Sequence, residues 1–496
     1  MAVKQFTQVS LLDSKPPESS GSAIPISQTN QATRVQAYEL YQSRLGDLSR
    51  GAERSLATCH PFSPHPLNLA ANTLQELRQL HEALDVAITN IVDRWWTDKE
   101  ADLPSRMPLE PQEVEVLQWI QAKTEKGEMP PFLSHKGVWR PDFLLDRVED
   151  ETGHEKTQAR ICEINARFAF NMLLHSMYGH QALIDLGAQE RGLTPAANPE
   201  NIQDSLFKLF DTRKPVHILK ASEDTFTLNL LPPLMAEQTG ITPRAISPSD
   251  LKLRPNPNSK TGYDLLCRKT QGGTSVCQED EGFEQIHHIF IHLNQKEISS
   301  IPIPMLQHIA LRSINDFRSI FFAHDKRMLG IIREELDDLV YKHEVLTPSQ
   351  ANILREGIVY TLIPGSKEIN RLIKQSEDSN FIKDKYIIKP IRLGQTEGII
   401  FGDDLTPEEW MSTLRSLLDP ELPIQSQSII QSRIEQPIFD LFVGEEQGVQ
   451  PTHIVGCYHA IDGRFGGIGV WRTGSGKLCS FDNGGMWIAS VIPLLN

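Results

Sequence analysis

The sequence predicts a mixed α/β protein, and three features carry that expectation. Short apolar runs of strand length alternate with longer amphipathic stretches along the 496 residues. A strand–helix–strand unit is legible in the middle of the chain, over 215–251. Two further stretches, 139–171 and 386–401, each read as strand, turn, strand, the first turn acidic and the second containing glycine.

A chain of 496 residues accommodates two to four domains or one large multilobed enzyme. Its 39% hydrophobic and 23% charged residues are ordinary for a soluble globular protein. A net charge of −15 argues against a nucleic-acid-binding face, which neutralises phosphates with Lys and Arg, yet leaves room for a local nucleotide site. No apolar run approaches the roughly 18 residues of a membrane span, and the N-terminus lacks the basic-then-apolar layout of a secretory signal. The expectation is therefore a cytoplasmic protein that neither crosses a membrane nor binds nucleic acid. Six cysteines without a C-x-x-C pair read as buried thiols.

In order along the chain, residues 1–32 are rich in Ser, Gln, Pro and Thr and are expected to form a disordered tail. Residues 33–130 read as a helical region, with helices over 33–48, 67–96 and 111–123. Trp95 and Trp96 suit packing, with a ligand platform as the alternative. A helix is expected over 170–186, and residues 191–300 read as a small α/β domain containing the central strand–helix–strand unit. His288 and His292 share a strand face, but their apolar flanks favour packing over a metal site. Thr406 and Pro407 supply the cap and first turn of a helix over 407–417. Asp462-Gly463 is the two-residue turn of a late hairpin.

The stretch 139–171 carries the chemistry. Residues two apart on a strand point the same way, so Arg140 and Asp142 share one face and Glu163 and Asn165 another. If the two strands pair, one cation, two carboxylates and a carboxamide converge. Such oxygens suit a hard cation such as Mg²⁺, and an arginine beside them suits phosphate. A solvated hairpin with a surface salt bridge is the competing reading. In the second half, Lys326 opens a helical pattern, and Lys389 ends a strand before a turn containing Gly394 and Gly398. Such a turn can fold backbone N–H groups over phosphates, with the lysine as a point charge. A plain exposed hairpin is the alternative, and no Walker loop is present. Gln431 lies on a strand leading into a linker whose backbone could meet an adenine edge. Arg472 ends a strand at another glycine-rich turn.

Taken together, the R-x-D and E-x-N pair followed by two lysines resembles the ATP-grasp enzymes. Because R-x-D and E-x-N precede both lysines, the order resembles the circularly permuted, glutathionylspermidine synthetase-like branch. The likeness covers about residues 130–490. It implies an ATP-grasp core in two parts, a metal-binding part over 131–190 and a nucleotide-binding part over 301–496. These flank the small α/β domain and follow an N-terminal helical extension. It further implies ATP and Mg²⁺ as cofactors. Asp142, Glu163 and Asn165 resemble the metal ligands, and Arg140 the group that stabilises charge on the transferring phosphoryl. Lys326 and Lys389 resemble the phosphate clamps, with Gly394 and Gly398 in the lid. Gln431 and residues 432–434 resemble the adenine hinge, and Arg472 the family's late arginine. The loop departs from the pattern, since Leu393-Gly394-Gln395-Thr396 lacks the usual basic–acidic pair.

The implied activity is ADP-forming ligation of a small-molecule carboxylate to an amine through an acyl phosphate. No G-x-S-x-G or catalytic-cysteine signature competes with it. A phosphotransferase acting on a hydroxyl and a nucleotide-binding protein without turnover remain the alternatives. The substrates and the oligomeric state stay open.

Overall fold

The computed structural model describes residues 6–12, 23–59, 61–149, 153–168, 170, 172–222, 226–259, 261–269, 282–394, 396–444, 448–474, 476–479 and 485–494. Strands Val138–Glu149 and Glu155–Asn165 form the expected antiparallel hairpin. Strand Val449–Ile461 pairs with the other edge of Val138–Glu149, and Trp471–Gly474 pairs next to it. Gly456 makes this arrangement possible: a Cβ there would meet the Phe143 ring at 2.3 Å and Trp471 at 2.7 Å. Val449–Ile461 then turns back into Arg464–Ile468 through Asp462 and Gly463, at φ 52° and 77°. Left-handed backbone at both positions is what a two-residue hairpin turn needs.

A second antiparallel sheet runs in the order Thr361–Leu362, Ser428–Ser432, Tyr386–Pro390 and Ile400–Phe401. Its junction with the hairpin is direct. Ile161 bridges Ile358, and the N–H of Val359 donates to the Ile161 carbonyl at 3.0 Å. The small α/β domain is built on parallel strands in the order His288–His292, Val216–Lys220 and Arg244–Ile246, with helix Phe226–Thr239 connecting the last two. His288 accepts from the N–H of Asp211, and His292 packs on the ring of Phe168, so both histidines are structural.

Several expectations need correction. Within the presumed tail, Phe6–Ser10 is a strand that pairs with Leu67–Leu69, and Gln8 is buried with its amide donating to Ser63 and the His65 carbonyl. Residues 1–5 and 13–22 lie outside the described set. Leu67–Leu69 is itself a strand, and the helix begins only at Ala71, running to Asp93. Nor is 33–130 a helical extension set apart. Leu77, Leu80, Leu84, Ala87 and Ile91 form one face of Ala71–Asp93 and share a core with Phe143, Ile161, Phe321 and Phe322. Trp95 stacks on Phe322 with ring centroids 4.1 Å apart, which accounts for the tryptophan by packing. No described helix is long and apolar enough to cross a membrane.

The core also sets a pH dependence. Burial holds the imidazoles of His65 and His459 down at about 3 and that of His180 at about 4, from an ordinary 6.5. In the unfolded chain they protonate near 6.5, so between that pH and their folded values the unfolded state binds more protons. Stability therefore rises with pH there and drains as pH falls, by up to about 1.4 kcal/mol per histidine per pH unit. Melting temperature is expected to drop steeply between about pH 6.5 and 4.5, and less steeply in His180→Asn; a flat profile would contradict the neutral buried state.

Candidate active site

The hairpin register brings the four polar residues together. Arg140 lies opposite Asn165 and Asp142 opposite Glu163, with a bulge immediately after Asp142. Asp142 is buried, and Arg140 grips it in a fork: Nε donates to Oδ1 at 2.7 Å and Nη2 to Oδ2 at 2.8 Å. Arg472 donates to the same Oδ2 at 2.5 Å from across the sheet. The Asn165 amide lies 3.4 Å from Glu163 Oε1.

The lysines arrive from the other half of the chain. Lys326 immediately precedes helix Arg327–Tyr341, and its ammonium sits 3.5 Å from Glu163 Oε2. It also donates to the Leu393 carbonyl at 2.7 Å, while its backbone N–H donates to the Ile391 carbonyl. Lys389 is buried on strand Tyr386–Pro390. Burial alone would raise the Glu163 carboxyl, but Lys326, Lys389, Arg472 and Arg140 outweigh it and hold the group far below the ordinary carboxylate range. Burial pulls the Lys326 ammonium down, with Glu163 opposing. Burial pushes the neighbouring Cys162 thiol up to about 11.

The loop residues divide. Gly398 has φ +71°, and a Cβ there would meet Pro390 Cγ at 2.7 Å, so glycine is required. Gly394 shows neither constraint, and Gln395 lies outside the described residues. Gln431 lies on strand Ser428–Ser432. Its side chain is fully buried, and its amide donates to the Cys162 carbonyl and Thr361 Oγ1 at 3.2 and 2.9 Å. Its amide nitrogen braces the lysine-bearing sheet against the hairpin, while its carboxamide oxygen is buried with no hydrogen-bond partner among the described residues. The N–H groups of Ser432 and Arg433 are likewise spent on the Tyr360 and Lys385 carbonyls.

Sequence reasoning missed the residues behind these. Asp325 accepts from Arg327 and Arg392, and Arg392 also donates to Glu113. Arg167, two positions past Asn165, donates to Gln295 at 3.0 Å. Met172, at φ 66°, places its sulfur 2.9 Å from Arg140 Nη1. The signals were only local: a charged run at 325–327, and one arginine in the loop. A second group with metal-type ligands, His217, Cys267 and Glu284, lies in the small α/β domain. There Arg244 Nη2 sits 2.8 Å from Cys267 Sγ and 2.9 Å from Glu284, so a guanidinium already balances the carboxylate. Burial pushes the Cys267 thiol up to about 12.

Comparison with known proteins fits this geometry. The chain is 36% identical over 495 residues to the ATP-grasp enzyme ankG of Aspergillus thermomutatus, covering 98% of this chain and 99% of that protein. The chain belongs to the ATP-grasp enzymes. A family model described as the AnkG N-terminal domain matches residues 80–322 of this ATP-grasp protein. That match runs from helix Ala71–Asp93 past the hairpin and the small α/β domain to the turn before Lys326. Among solved structures, an apo glutathione synthetase-like effector (GSS30) of Globodera pallida superposes with a TM-score of 0.53. That comparison covers 95% of this chain and 99% of the other at 11% identity, a likeness of fold.

Proposed function

We propose that this ATP-grasp protein is an ATP- and Mg²⁺-dependent ligase that joins a small-molecule carboxylate to an amine, releasing ADP. One observation carries the reading. Glu163 is kept ionised by Lys326, Lys389, Arg472 and Arg140, drawn from both halves of the chain into one cleft. Four cations against the two carboxylates Asp142 and Glu163 leave a surplus of two positive charges. A magnesium–triphosphate complex, with its two net negative charges, cancels that surplus.

The donor set fits Mg²⁺: Asp142, Glu163 and Asn165 offer hard oxygens, and both carboxylates already hold cationic groups. When bound there, Mg²⁺ would neutralise charge on the phosphate oxygens. Lys326 and Lys389 bind the phosphates as point charges, and Arg140 and Arg472 stabilise charge on the transferring group. The substrate carboxylate oxygen forms a bond to the γ-phosphorus as the bond to ADP breaks, giving an acyl phosphate. The amine then attacks the acyl carbon, phosphate leaves, and the amine proton passes to solvent. A lid carrying Gly394 and Gly398 would shield the acyl phosphate from water. Transfer in this site relies on alignment and charge neutralisation, with no protein nucleophile.

The test is ADP release against pooled carboxylates and amines, with mass detection of products. ADP formed only when both pools are present, with a product whose mass equals carboxylate plus amine minus water, is the expected result. Phosphorylated hydroxyl acceptors, or MgATP binding without ADP under any pool, would overturn the ligase reading.

A further inference from the structure

Glu113 projects from helix Pro111–Glu125, far in sequence from either lysine, yet it is 3% exposed and ends in the loop region. Its Oε1 accepts from Arg392 Nη1 at 2.7 Å and from the Gln295 amide, and its Oε2 accepts from the backbone N–H of Glu110. Helix capping thus fixes one oxygen and leaves the other aimed at Arg392. Arg392 sits between Lys389 and Gly394. Its Nε donates to Asp325 Oδ2 at 2.9 Å, so one guanidinium joins the flank of Lys389 to the residue preceding Lys326. Asp325 is in turn held by Arg327 through Nε at 3.0 Å and Nη2 at 2.8 Å. The buried group pairs two guanidiniums with two carboxylates. Without the Glu113 carboxylate, Arg392 loses the anchor that draws it away from Asp325, and the chain segment it fixes between Lys326 and Lys389 loses its registration.

We propose that Glu113 is a positioning residue for the triphosphate end of the nucleotide site, acting through Arg392 to fix the spacing of Lys326 and Lys389. This rests on the ATP-binding part of the function proposed above. The N-terminal helices are then part of the nucleotide machinery. Gln295 extends the connection: its Oε1 accepts from Arg167 beside the hairpin while its amide donates to Glu113, so the carboxylate is linked to the hairpin side through Gln295 and to the lysine side through Arg392.

The experiment compares MgATP and adenosine binding by calorimetry on the full chain. Glu113→Gln is expected to weaken MgATP at least tenfold while adenosine, which lacks phosphates, changes less than twofold. In an Arg392→Met background the same substitution is expected to change MgATP affinity less than twofold, because its intermediary is gone. If Glu113→Gln does not fold, Glu113→Asp keeps the charge, shortens the reach by one methylene, and is read the same way. Equal loss for both ligands, no loss for either, or full additivity with Arg392→Met would overturn the proposal. Failure of the unsubstituted protein to bind MgATP would instead sink the functional reading beneath it.

Discussion

Glu163→Gln is expected to lower ADP release roughly 10²- to 10³-fold at saturating substrates, the scale on which loss of one preorganised electrostatic group acts. The substitution keeps the shape of the side chain and an acceptor oxygen but removes an anion from among four cations. Two consequences separate it from a folding defect. The Mg²⁺ concentration giving half-maximal turnover is expected to rise, because a ligand has lost its charge. Affinity for metal-free ATP is expected to hold or increase, because the cleft now carries a larger positive surplus. Turnover within about threefold of the parent, with an unchanged Mg²⁺ midpoint, would remove Glu163 from the metal assignment.

Lys389→Met is expected to weaken MgATP binding about 10- to 100-fold. The lysine is 5% exposed and lies on a strand paired directly with Ser428–Ser432. Methionine retains the packed stem and deletes only the ammonium. A hydrogen bond to a charged group contributes about 1.5–3 kcal/mol, and about 1.4 kcal/mol corresponds to tenfold in affinity. Calorimetry with MgATP and adenosine reads the result, and unaltered affinity for MgATP would refute the clamp. Loss of both ligands together would point to a collapsed sheet.

Much of the cleft was legible because strand alternation is a local rule. The convergence of Arg140, Asp142, Glu163 and Asn165 needed only that two neighbouring strands pair, and they do so with Asp142 opposite Glu163. The hairpin at Asp462-Gly463 was legible for the same reason. What lay beyond reach depended on distant partners. Arg472 meets Asp142 across 330 residues, and Glu113 meets Arg392 across 279, separations that no local pattern encodes. Phe6–Ser10 reads as polar tail because Gln8 and Ser10 mask a strand whose pairing is supplied by Ile24–Pro25 on one edge and Leu67–Leu69 on the other. Gln431 was placed on the correct strand, and its contact with Cys162 in the other sheet spans 269 residues, beyond any local pattern.

The neighbour relation between Val138–Glu149 and Val449–Ile461 bears on how the polypeptide is born. About 300 residues separate residue 149 from residue 449, which at ~5–20 residues per second is roughly 15–60 s of ribosomal elongation. Through that interval the nascent hairpin carries an open backbone edge and the uncovered Phe143 ring, whose eventual cover, Trp471, has yet to be translated. Newly made chains should therefore depend on holdase chaperones until the late strands emerge, and slowing translation after codon 149 should raise aggregation in proportion to the delay.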